Sequence, residues 1–160
     1  MKLTRAIYVM ILALSSASAV AAPQNPIPEA QVINLARNKA DLHNHAANLM
    51  QMSMAGSSQQ QDSALIIGWL TSEALAALEP LLSEAAIYQK MECDSDRVEL
   101  SSRLPLQLKF AKAQLDVSIE GINKDLTFVT DQAMLLKARG IRDGLQTLRA
   151  TLELYSYDQP

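Results

Sequence analysis

The sequence predicts an all-α protein: an up-down-up-down four-helix bundle that follows a cleaved signal peptide. Three observations predict it. Four stretches carry apolar residues at three- and four-residue intervals, the spacing that lines one face of a helix. Residues suited to starting and stopping helices separate these stretches. Alternating apolar and polar runs, the mark of a half-buried strand, are nearly absent.

The chain opens with three zones. Lys2 and Arg5 are positive, and no acidic residue precedes Glu29. Ala6 to Leu14 is an apolar run of nine residues, and Ser15 to Ala22 is a tail of small ones. That order places charge at the cytoplasmic face, an apolar segment in the membrane and small side chains in the peptidase site. Residues 1–21 are therefore expected to be a signal peptide, cut after Ala19 or Ala21. Pro23 disfavours a cut after Ala22. A membrane span needs roughly 20 predominantly apolar residues, and the leader's apolar run is under half of that. No other segment reads as a span, so no stable membrane span is expected after cleavage. The working compartment is expected to be the periplasm.

Removing the leader takes two basic residues and no acidic ones, so the formal charge moves from 14 − 17 = −3 to 12 − 17 = −5. An acidic domain of this size has no electrostatic means of holding a phosphate backbone, which excludes nucleic acid as the expected partner. Cys93 is the only cysteine. An intrachain disulfide is impossible, and an intermolecular one at Cys93 is a candidate in an oxidising compartment. Its acidic neighbours Glu92, Asp94 and Asp96 disfavour the thiolate and argue against a nucleophile.

Residues 22–27 are Pro-rich and read as a flexible arm, leaving 28–157 for the bundle. The first helix is predicted over about 28–55. It starts at Pro28, whose missing N–H costs nothing in a first turn. Its stripe is Val32, Leu35, Lys39, Leu42, Ala46 and Leu49, and Gly56 stops it. The second helix is predicted over 59–91, opened by a Ser58/Gln61 capping pattern. Its stripe is Ile67, Leu70, Ala74, Leu78, Leu81, Ala85 and Tyr88, with Pro80 inside. Residues 92–101 read as the longest connection. The third helix is predicted over 103–126, capped by Ser102, with a stripe from Leu104 through Leu108, Ala111, Leu115, Ile119 and Ile122 to Val129. The fourth, over 131–156, uses Met134, Ala138, Ile141, Leu145, Leu148, Leu152 and Tyr155. The last two cannot be one helix, because their stripes are a residue out of phase, about 100° around the axis. A turn near 127–130, capped by Thr130, resolves the mismatch.

The sequence carries no catalytic signature, and the chain is expected not to be an enzyme. Gly56-Ser57-Ser58 lacks the closing glycine of a nucleophile elbow. From Asp94, a calcium loop would need glycine at Glu99 and glutamate at Pro105. No CxxCH is present for haem attachment, and no cofactor is expected. Met50, Met54, His43 and His45 are a candidate soft-metal set, because thioethers and imidazoles suit Cu(I). Spacing weakens the set: His43 and Met50 are seven residues apart, roughly 10 Å along a helix. Methionine is also a common gap-filler at a bundle end.

Excess apolar surface is the stronger clue. Leu65 and Trp69 fall on the back of the second helix, away from its core stripe, and a large unsheltered apolar patch marks an interface. With Met50 and Met54 they form the candidate partner-binding surface. The expectation is a protein that acts by protein–protein interaction, as an inhibitor, immunity factor, adaptor or chaperone-like binder. Its partner would be another periplasmic protein or a second copy of itself. The alternative is a periplasmic carrier of copper or a small ligand.

Overall fold

The computed structural model describes residues 25–157, apart from the side chains of residues 94–96. The expected signal peptide, residues 1–21, and residues 22–24 of the expected arm lie outside the described residues. Within them the chain is all-helical, without a strand. Helix α1 spans Glu29–Ser53, α2 Ser58–Lys90, α3 Asp94–Asp125 and α4 Gln132–Glu153, with a 3-10 turn at Leu126–Phe128 before α4. Helices α1 and α3 each pack against both α2 and α4, while α2 and α4 barely touch.

The periodic apolar residues meet in one core. Leu35, Leu49, Ile67, Leu78, Leu81, Leu104, Leu115, Ile122, Ile141, Leu145 and Leu148 are all essentially shielded from solvent. Each such side chain contributes about 1.5–3 kcal/mol of transfer free energy. Helix α2 buries a wide arc, including Ala64, Ile67, Gly68, Thr71, Ala74 and Leu75, because it is flanked by both α1 and α3. This also corrects an expectation. By length and composition, α2 is apolar enough to cross a membrane, and half of that stretch is buried in the bundle. A helix packed on two sides needs apolar residues over most of its circumference, so its composition resembles that of a span.

Glycines set three of the close approaches between helices. A Cβ on Gly68 would lie 2.8 Å from the Met50 sulfur, and one on Gly121 would lie 2.6 Å from a Leu70 methyl. One on Gly144 would lie 2.5 Å from a Leu42 methyl. The α1–α2, α2–α3 and α1–α4 contacts thus each seat a long side chain in a space left by glycine.

Several helix ends differ from expectation. The capping box of α2 is Ser57 with Gln60, one residue before the predicted pair. Both readings fit the run Ser57-Ser58-Gln59-Gln60-Gln61, and the turn selects the earlier. Helix α1 ends at Ser53, whose hydroxyl donates to the Met50 carbonyl at 2.7 Å. Helix α3 starts at Asp94, so the predicted long connection shrinks to residues 91–93. Ser102 does not cap it but lies inside, donating to the Glu99 carbonyl at 2.7 Å. Pro80 and Pro105 sit within unbroken helices. Asp131, not Thr130, caps α4, accepting from the Met134 N–H at 2.8 Å.

The arm is also corrected at its described end. Asn25 and Ser156 exchange backbone hydrogen bonds of 3.1 and 3.0 Å. Ile27 is fully buried, its N–H donating to the Tyr157 hydroxyl at 3.2 Å and its carbonyl accepting from Gln89 at 2.9 Å. An apolar residue next to the first helix gains more from docking than from solvent freedom, so residues 25–27 clasp the C-terminal segment.

Candidate partner-binding site

The α1–α2 turn builds the site. Ser57 and Gln60 cap α2 reciprocally, with the Ser57 N–H donating to the Gln60 side chain at 3.1 Å. Gln61 reaches back to the Gly56 carbonyl at 3.2 Å and the Met54 carbonyl at 3.5 Å. These bonds hold the last turn of α1 over the first turns of α2. Between them is an open hollow of about 510 Å³, lined by Met50, Gln51, Ser53, Met54, Gln61 and Leu65.

The structure therefore brings three of the four expected residues together. Met50 is partly buried against Gly68, while Met54 is 79% exposed at the rim. Leu65 is 56% exposed on the opposite wall. Trp69, 61% exposed, does not line the hollow. It lies one helical turn beyond Leu65 on the same face of α2 and extends the apolar surface. Ile66, not singled out from the sequence, is exposed beside them.

The histidines do not join this site. His43 is exposed in the groove between α1 and α2, beside Lys39, Leu75 and Glu79. His45 is exposed in the groove between α1 and α4, beside Lys137 and Gly140. Two residues apart on one helix, they point about 200° from each other. The expected metal set of Met50, Met54, His43 and His45 is thus split over three places. Among the described residues, no three His, Cys, Asp or Glu side chains gather in a metal-holding group.

Cys93 is exposed at the N-cap position of α3, and its side chain makes no capping hydrogen bond there. An accessible thiol suits an intermolecular bridge better than a buried one would.

Charged groups cluster elsewhere. Between α3 and α4, Arg149 pairs with Asp116 at 2.9 Å and with Glu153, which also accepts from Lys112 at 3.1 Å. The Arg149 and Lys112 cations hold the Glu153 carboxyl below its ordinary range. Arg149 and Glu153 are four residues apart on α4, while Asp116 and Lys112 reach them from α3. Asp143 pairs with its neighbour Arg142 at 2.6 Å. Of these groups, Lys112, Asp116 and Arg149 line a groove of about 440 Å³ together with Lys109 and Tyr155.

No family model, no curated protein and no solved structure matches this chain.

Proposed function

We propose that the chain is an exported periplasmic protein that acts by binding another protein, without catalysis. Residues 1–21 serve as its signal peptide, and the mature chain folds as an up-down-up-down bundle. Side-chain pairs support that order. Lys39 with Glu79 and Glu29 with Lys90 run in opposite senses along α1 and α2. Leu70 with Gly121 and Glu84 with Arg103 do the same for α2 and α3, and Lys112 with Glu153 and Asp116 with Arg149 for α3 and α4.

One observation carries the binding function: the exposed apolar surface of Met54, Leu65, Ile66 and Trp69 beside a hollow sized for a partner's side chains. Exposed tryptophan and methionine are enriched among interface residues, and tryptophan among those that anchor binding. An inhibitor, immunity factor, adaptor or chaperone-like binder would each use such a surface. The test compares proteins retained from periplasmic extract by the wild type, by Trp69→Ala and by the control Leu136→Ala on α4. Loss of one band with Trp69→Ala alone supports the reading. Identical profiles for all three reject it.

A second reading is favoured by the two thioethers on one hollow. Met50 and Met54, four apart, could hold Cu(I) or a small apolar ligand. Competitive Cu(I) titration decides it: affinity unchanged after both methionines become leucine rules the carrier out.

A further inference from the structure

The outer face of α3 is a second apolar surface, separate from the hollow. Leu106, Phe110 and Val117 are 64%, 58% and 59% exposed, and Ala113 between them is exposed too. Their spacing of four, three and four is a heptad seam, the pattern by which two helices pack along each other. The core stripe of α3 already runs through Leu104, Leu108, Ala111 and Leu115 on the other side. The seam continues into charge at both ends: Glu99 and Arg103 before it, Glu120 and Lys124 after it, all exposed.

The order of those charges specifies the occupant. Placed antiparallel against a second α3 about a two-fold axis between Phe110 and Ala113, every seam residue meets a complement. Leu106 faces Val117, and the large Phe110 faces the small Ala113. Arg103 faces Glu120, and Glu99 faces Lys124. A two-fold axis makes each of these contacts twice. A parallel pairing would instead stack Arg103 on Arg103, Glu120 on Glu120 and Phe110 on Phe110. The seam carries two positive and two negative charges, so it is neutral on a protein whose overall charge is negative. Arg103 contacts Glu84 at 3.6 Å with half of its side chain exposed, leaving donors for another carboxylate.

We propose that a second copy of this chain docks on this face, forming an antiparallel α3–α3 seam. The seam leaves Met54, Leu65 and Trp69 to a different partner, and it does not depend on that partner existing. It also separates the thiols: the two Cys93 residues would lie roughly 55 Å apart at opposite ends of the pair. Cys93 therefore does not bridge the two copies of this dimer.

The test is sedimentation equilibrium of the purified protein over a wide concentration range, with and without reductant. A reductant-independent dimer is expected. Phe110→Glu should shift it to monomer with unchanged helical circular dichroism. Lys124→Glu should weaken the dimer by roughly tenfold or more, because each change occurs twice and juxtaposes like charges. Adding Glu99→Lys should restore it. Within one chain these positions are roughly 38 Å apart, so only contact between copies can produce that rescue. A monomer at every concentration, a dimer indifferent to Phe110→Glu, or no rescue in the double variant would each overturn the proposal. Loss of binding by Trp69→Ala would leave this result unchanged, which separates the two surfaces.

Discussion

Leu42 of α1 is seated against Gly144 of α4, where any Cβ would lie 2.5 Å from the leucine methyl. Four residues earlier, Gly140 faces open space, with nothing within 4 Å of such a Cβ. Both glycines sit within one helix, so alanine gains similar helix propensity at each, about 1 kcal/mol. The Gly144 variant must also displace a buried leucine, which typically costs about 1–3 kcal/mol. Gly140→Ala is expected to raise the melting temperature, and Gly144→Ala to fall below it. Thermal denaturation of the two variants side by side measures the difference.

Tyr157 closes the clasp at the other end of the bundle. Its ring meets Tyr88 edge-on at 5.9 Å, and its hydroxyl accepts the Ile27 N–H. Tyr157→Phe leaves that buried donor unpaired and is expected to cost about 1–3 kcal/mol at neutral pH. Burial pushes the phenol above its ordinary value of 10.0. The unfolded chain therefore ionises first at this residue. Its contribution is intact below that value and is lost as pH rises through the raised one. Urea titrations of wild type and Tyr157→Phe, at neutral pH and above 10, should show the gap between them narrowing.

Two carboxyls act with opposite sign at low pH. Arg149 and Lys112 hold Glu153 below its ordinary value of 4.5, so its contribution is present above that and lost as pH falls through the lowered value. Burial raises Asp125 above 3.8, so its ionisation opposes folding once pH exceeds that value. Glu153→Gln should lower stability at neutral pH and leave it unchanged in strong acid. Asp125→Asn should raise it at neutral pH, also with no effect in strong acid. Melting curves from acid to neutral pH distinguish the two.

Trp69 should matter for binding and not for folding. Its exposed ring leaves little core packing to lose, so Trp69→Ala is expected to change stability by less than about 0.5 kcal/mol. A larger loss in urea denaturation would mean that the ring supports the fold.

The core was legible because burial imposes a period. Val32, Leu35, Leu42, Ala46 and Leu49 repeat at helical spacing, and all are buried. Boundaries were less legible, because local signals were degenerate. Two serines and three glutamines in a row allow two capping registers, and only the turn chooses between them. The start of α3 was hidden by its serines, which favour caps but here bond back to carbonyls three residues earlier, at Val98 and Glu99. At the site, Met50, Met54 and Leu65 converge because a short turn joins the helix ends that bear them. The histidines diverge because residues two apart on a helix cannot share a face. The outer seam of α3 repeats at 106, 110, 113 and 117, on the side away from the core stripe of Leu104, Leu108, Ala111 and Leu115.

Site-specific photocrosslinking in living cells tests the central claim most directly. A photoreactive residue at position 69 should capture one discrete partner in the periplasm, and the same residue at position 139, exposed on α4, should capture none. No adduct at position 69, or the same adducts from both positions, would contradict a dedicated binding surface there.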